Sequence, residues 1–165
     1  MWAQPDEILV TLGAQQALYL IADLLLTEDQ VVAMEEPGYP DARNIFAART
    51  ARIEALAVDD KGLVPGSALS HCQCLYLTPS HQFPSTVTLS RDRRETLLAR
   101  ARQDKFVIIE DDYESEHNFL GDPTPALKSL DRDGVVIYIG SLSKTLAPGL
   151  RIGFMVAPAE FIREA

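Results

Sequence analysis

A chain of 165 residues, 47% hydrophobic and 24% charged, can bury the core of one domain and is short for two. Its 24 acidic residues outnumber 15 scattered basic ones, a net charge of −9, which argues against a nucleic-acid surface in this segment. No apolar run approaches the roughly 18 residues of a membrane span, and MWAQPDEILV has no basic region ahead of an apolar stretch, so a cytoplasmic location without membrane contact is expected.

In chain order, the apolar run ILVTLG (8–13) reads as a strand, followed by a helix over AQQALYLIADLLL with Leu18, Ile21, Leu24 and Leu25 on one stripe. VVAMEE, ARIEAL and CLYLTP are the next strands. SRDRRETLLARARQ reads as a helix that starts at Ser90 as its cap and turns Leu97, Leu98 and Ala101 inward. FVIIEDD, VVIYIGS and IGFMVAP complete seven strands. Continuous rather than alternating apolar runs, with helices between several of them, predict an α/β fold: three layers, a mostly parallel sheet and helices on both faces. In such a sheet, ligands bind beyond the carboxyl ends of the strands. Cys72 and Cys74, one residue apart, suit neither a disulfide nor a complete metal site and are expected as thiols, one facing inward. His71, His81 and His117 are expected to be structural or surface residues.

Four strand exits carry chemistry. Gly13-Ala14-Gln15 opens a helix whose free N–H groups can hold a phosphate, or is a plain turn. Pro37-Gly38-Tyr39-Pro40 fixes an aromatic ring at the sheet edge, or packs it on the surface. Glu110-Asp111-Asp112-Tyr113 sets three carboxylates in a row, which raise one another's pKa and call for a cation. No further ligand stands at metal-binding spacing, and a protonated heterocycle would serve as well. GSLSKTLAPGLRIGF (140–154) frames Lys144 with Ser141 and Ser143 and adds Arg151: a loop lysine in water, or an amine kept for an aldehyde cofactor. Together the four exits describe one ligand. A phosphate would meet Gly13, Ala14, the two serines and Arg151, a ring would meet Tyr39, a ring cation Asp111 and an aldehyde Lys144, which is the pattern of pyridoxal 5′-phosphate.

The segments TLGAQQAL, EEPGYPDAR, TPSHQFP, IEDDYESE and GSLSKTLAPGLRIGF, in this order, resemble the motifs of fold-type I pyridoxal-phosphate enzymes of the class I/II aminotransferase group. TPSHQFP and EDDY look most like the aminotransferase-like domain of MocR-type regulators in the GntR superfamily. The resemblance implies Lys144 as the Schiff-base lysine and Asp111 as partner of the pyridine nitrogen. It further implies Tyr113 as donor to the phenolic oxygen, Tyr39 as the stacking ring, and Ala14, Gln15, Ser141, Ser143 and Arg151 as the phosphate cup. It also implies a seven-stranded sheet with the last strand antiparallel, and a homodimer. The expected partner is an amino acid or 2-oxo acid, as substrate of amino-group transfer or as effector of a regulator with little or no turnover. Phe83 stands where many aminotransferases carry an asparagine, with Gln82 a possible substitute, and Ser85-Thr86 replaces Thr-Gly. The family's N-terminal arm or winged helix-turn-helix and its C-terminal small domain have no counterpart here, so residues 1–165 are expected to be a large-domain fragment.

Overall fold

Alternate residues of the apolar strands are drawn into two separate cores, and this sandwiches the sheet between helices. The computed structural model describes residues 1–113, 125–142 and 151–165. Its strands are β1 (Ile8–Thr11), β2 (Val32–Glu36), β3 (Ile53–Asp59), β4 (Gly62–Leu63), β5 (Cys74–Leu77), β6 (Val107–Asp112), β7 (Val136–Ser141) and β8 (Gly153–Val156). They form one sheet in the order β1-β8-β7-β6-β5-β2-β3-β4. From β3 to β7 the neighbours are parallel, while β8 runs antiparallel to β7 and to β1. All seven expected strands are present. The eighth, β4, is a two-residue antiparallel edge on β3, too short to leave a hydrophobic pattern.

One core packs Val32, Met34, Cys74, Tyr76, Ile109 and Ile139 under α1 (Gly13–Leu25) and α2 (Pro40–Ala47). The other packs Ala33, Leu75, Leu77, Ile108 and Val136 under α3 (Arg91–Asp104) and α4 (Leu127–Leu130). Burial of both faces is why these strands lack polar alternation. A last helix, α5 (Ala159–Glu164), packs Phe161 and Ile162 on the first core.

In α1, Leu18 and Ile21 are buried as expected and Leu25 packs at the margin, but Leu24 is exposed, because 3.6 residues per turn put it about 120° round the axis from Leu18, at the rim of the buried face. In α3, Leu97 and Ala101 are fully buried and Leu98 is partly so. Ser90 holds the N-cap position through its backbone carbonyl, which accepts from Arg94 N–H, and its hydroxyl makes no capping bond. Cys72 and Cys74 are both free and both buried, where one inward thiol was expected: the turn before β5 carries Cys72 into the second core, and Cys74 enters the first. Burial pushes the Cys72 thiol up to about 12 and the Cys74 thiol still higher, so both stay protonated.

Candidate active site

Parallel pairing of β2, β5, β6 and β7 brings their carboxyl ends to one edge of the sheet. The acidic triplet does not leave β6, as its sequence suggests, but closes the strand from inside, with all three residues buried. Pleating turns them to alternate faces. Asp111 faces the first core, where Tyr76 Oη donates to Asp111 Oδ2 at 2.8 Å. On the other face, Glu110 accepts the backbone N–H groups of Leu127 and Lys128 at 2.7 and 2.8 Å, and Tyr138 Oη donates to Asp112 Oδ2 at 3.0 Å.

Mutual repulsion is therefore not the main influence on these groups. Burial is the first cause that lifts Asp111 to about 6 and Glu110 to about 7, and the charge of Asp112 adds less to each. Part of the expected cation comes from Arg94, 2% exposed in α3, whose charge acts on Glu110 and Asp112. Its guanidinium donates to the carbonyls of Leu89, Pro79 and Pro125. No cation pairs with Asp111 among the described residues.

Tyr39 stands between β2 and α2, half-buried, with Phe83 edge-on at 5.5 Å between ring centroids. Its hydroxyl donates to Asp41 Oδ2 at 3.0 Å. Burial first, then Asp41, and more weakly the charge of Asp111, hold its pKa above the usual value. Gln15, expected in the phosphate cup, also gives its Nε2–H to Asp41 Oδ2, at 3.0 Å. Asp41 thus ties the start of α1 to the Tyr39 ring, a link that the sequence reading missed. Tyr113 lies beyond β6 with His81 and Phe83 at centroid distances of 6.1 and 6.5 Å. The half-buried ring of His81 therefore belongs to this aromatic group.

Gln82 is 1% exposed, and its amide is committed to the loop. Nε2 donates to the carbonyls of Pro37 and Phe83, and Oε1 accepts from the N–H and hydroxyl of Ser85. Both the amide donor and the amide carbonyl of Gln82 are thus engaged within the loop. Beneath it Glu35, 3% exposed, accepts from Thr78 N–H and Oγ1–H at 3.0 and 2.9 Å, and burial lifts it to about 7. Neither member of this network carries a signal in the sequence beyond its place beside a strand end.

The fourth wall is the start of α1. Gly13 takes φ +76°, and its helix has Leu12 at the N-cap with no side-chain cap. Gly153 opens β8 so close to it that an added Cβ would lie 2.7 Å from Gly13 C and 3.0 Å from Ala14 N. Arg151, exposed, holds φ +45°, a left-handed conformation that costs a long side chain about 1–2 kcal/mol. Ser141 ends β7, paired with Gly153. Gly13, Ala14, Ser141 and Arg151 thus surround one corner, and Asp111, Tyr39 and Tyr113 the adjoining part of the edge. Ser143, Lys144 and His117 lie outside the described residues.

A doubly covered, mostly parallel sheet with this edge defines the chain as an aminotransferase-type domain: the model of the class I and II aminotransferase family matches residues 2–165, and the chain belongs to that family. Within it, the chain is 46% identical over 160 residues to the HTH-type transcriptional regulator TauR of Rhodobacter capsulatus, covering 97% of this chain and 33% of that protein. It is 35% identical over 160 residues to the HTH-type pyridoxine biosynthesis transcriptional regulator PdxR of Corynebacterium glutamicum, covering 96% of this chain and 34% of that protein. These matches bear out the resemblance to MocR-type regulators. Among solved structures, the α-aminoadipate aminotransferase LysN of Thermus thermophilus, complexed with N-(5′-phosphopyridoxyl)-L-leucine, superposes with a TM-score of 0.89 at 34% identity, over 98% of this chain and 43% of that one. The chain spans about a third of the length of the two regulators.

Proposed function

We propose that residues 1–165 form the large, cofactor-binding domain of an aminotransferase-type protein that holds pyridoxal 5′-phosphate and takes an amino acid or 2-oxo acid. The observation that carries this reading is Asp111: a buried carboxylate, with no cation beside it among the described residues, at the edge that also bears the Tyr39 ring and the start of α1, which has no side-chain cap. The residues present fit the cofactor. The first-turn N–H groups of α1, with Ser141 and Arg151 nearby, suit a phosphate. The close approach of Gly153 leaves no side chain between β8 and that turn. Tyr39 offers a ring face, and Asp111 suits a protonated ring nitrogen. When bound, the cofactor supplies an electron sink for charge that develops at the substrate carbon. Asp111 would keep the ring nitrogen protonated, Tyr113 would donate to the phenolic oxygen, and Lys144 would hold the aldehyde as a Schiff base and then carry the proton at the substrate carbon. A homodimer is part of the reading.

Two observations favour a second reading, an amine-sensing domain of a transcriptional regulator with little turnover. One is the 46% identity to TauR, and the other is Phe83, whose ring faces Tyr39 and Tyr113 where an asparagine amide helps many aminotransferases. Both readings share the cofactor site. With pyridoxal phosphate the protein should gain a near-visible absorption band and a borohydride-reducible adduct that Lys144→Ala abolishes. Equal trapping by the variant would remove Lys144 from the site. Turnover of an amino acid with 2-oxoglutarate, assayed in the protein encoded by the complete gene, separates the enzyme from the sensor.

A further inference from the structure

Among the described residues the carboxylate of Asp111 has one hydrogen-bond partner, and that partner comes from inside the core. Tyr76 belongs to β5, where it pairs with Met34 of β2 and Ile109 of β6, and it is 1% exposed. Phe46 of α2, itself buried, packs edge-on against its ring at 5.7 Å. The ring is thus held by two strands and a helix, and only the hydroxyl is left to reach along β6 to Oδ2.

We infer that Tyr76 is a positioning residue for Asp111: its buried hydroxyl fixes Oδ2 against the core and leaves Oδ1 outside that bond for a ring cation. The inference rests on the reading of Asp111 as partner of the pyridine nitrogen. A phenol suits the task because it donates to a carboxylate and brings no charge of its own. Burial, then the charge and bond of Asp111, hold the Tyr76 pKa well above its usual value, so it stays a donor throughout the neutral range. Its bond pulls the carboxyl down while burial and the charge of Asp112 push it up, with about 6 as the result. The phenol of Tyr39 feels the Asp111 charge from the start of α2, and Glu35 acts on Tyr76 from β2. No described cation opposes them. Without the hydroxyl, Asp111 should titrate nearer to neutrality and be partly protonated when a ring cation needs its charge.

The test is a carboxyl-carbon NMR titration of Asp111 in the 165-residue chain without cofactor, assigned with Asp111→Asn. Wild type should titrate near 6, and Tyr76→Phe should titrate higher by about one pH unit, a tenfold change in the protonation constant. A titration of pyridoxal phosphate by absorbance should show the fall in affinity on acidification moved up by the same amount, with the step missing in Asp111→Asn. If Tyr76→Phe does not fold, 3-fluorotyrosine at position 76 keeps the ring and sharpens the donor, and the Asp111 midpoint should drop. A midpoint that neither replacement moves overturns the inference, even if Tyr76→Phe lowers the melting temperature. An affinity profile unchanged in Asp111→Asn would overturn the reading of Asp111 instead, while the NMR midpoints still decide the role of Tyr76.

Discussion

Buried carboxylates at the strand ends make stability depend on pH in an unusual direction. Burial is the first cause that raises Glu35 and Glu110 to about 7 and Asp111 to about 6, all above their ordinary values. A carboxyl whose folded pKa is raised binds more protons folded than unfolded, so stability falls as pH climbs from the unfolded to the folded value and stays low above it. The cofactor-free chain should therefore melt at a higher temperature near pH 5.5 than near pH 8, and the opposite order in a calorimetric series would refute the assignment. Asp111→Asn removes one such charge and keeps an acceptor for Tyr76. It should stabilise the cofactor-free protein at pH 8 by roughly 1–3 kcal/mol, about 1.4 per pH unit of the shift removed. If Asp111 partners the ring nitrogen as proposed, the same change should cut proton exchange at the substrate carbon by orders of magnitude, since that nitrogen would lose its counter-ion and each 1.4 kcal/mol of barrier is about tenfold. Asp112→Asn lies on the other face of β6, beside Tyr138, and should leave exchange within a few-fold of wild type. A larger loss from Asp112→Asn would exchange the roles of the two residues.

At the scale of elements, the site depends on β8 lying directly against the first turn of α1. Gly153 is the contact, and a Cβ there would stand 2.7 to 3.0 Å from the backbone of Gly13 and Ala14, which cannot swing aside as a side-chain end would. Gly153→Val should cost about 1–3 kcal/mol by overpacking. It should also weaken inorganic phosphate and pyridoxal phosphate in parallel, as the first-turn N–H groups are displaced. Phosphate binding at the wild-type level would show that this corner is not the cup. The sequence makes the layer plan legible, because strands buried on both faces must be continuously apolar, and it brings the four chemically marked exits to one edge. What it hides are partnerships made across the fold. Tyr76 is one more apolar residue in CLYLTP until β6 lies beside it, Asp41 looks like an ordinary first-turn acid, and Arg94 is a helix charge whose burial depends on loops at 79, 89 and 125. The alternation of the acidic triplet follows from the pleat, but only once β6 is known to run through Asp112.

For the molecule as a whole, β1 is the exposed edge that matters. Ile8 and Val10 alternate along it at 40% and 71% exposure, Leu12 just past its end is 68% exposed and Trp2 upstream is fully exposed, so an apolar strip coincides with a strand edge that is unpaired among the described residues. The 165-residue chain should self-associate through this edge, and Val10→Lys should shift it toward monomer in sedimentation, with its melting temperature nearly unchanged because the side chain touches no core. An unchanged association state would move the contact elsewhere. The same chain should bind the cofactor and yet turn over poorly. Tyr39 is only half-buried, Gln15, Asp41 and Arg151 are exposed around the site, and electrostatic preorganisation is weak where water remains. Lost positioning of substrate can add on the order of 7 kcal/mol to a barrier. Transamination by the chain alone should accordingly sit near background, and a rate of about 1 per second or faster, ordinary for enzymes, would show that these residues suffice for catalysis.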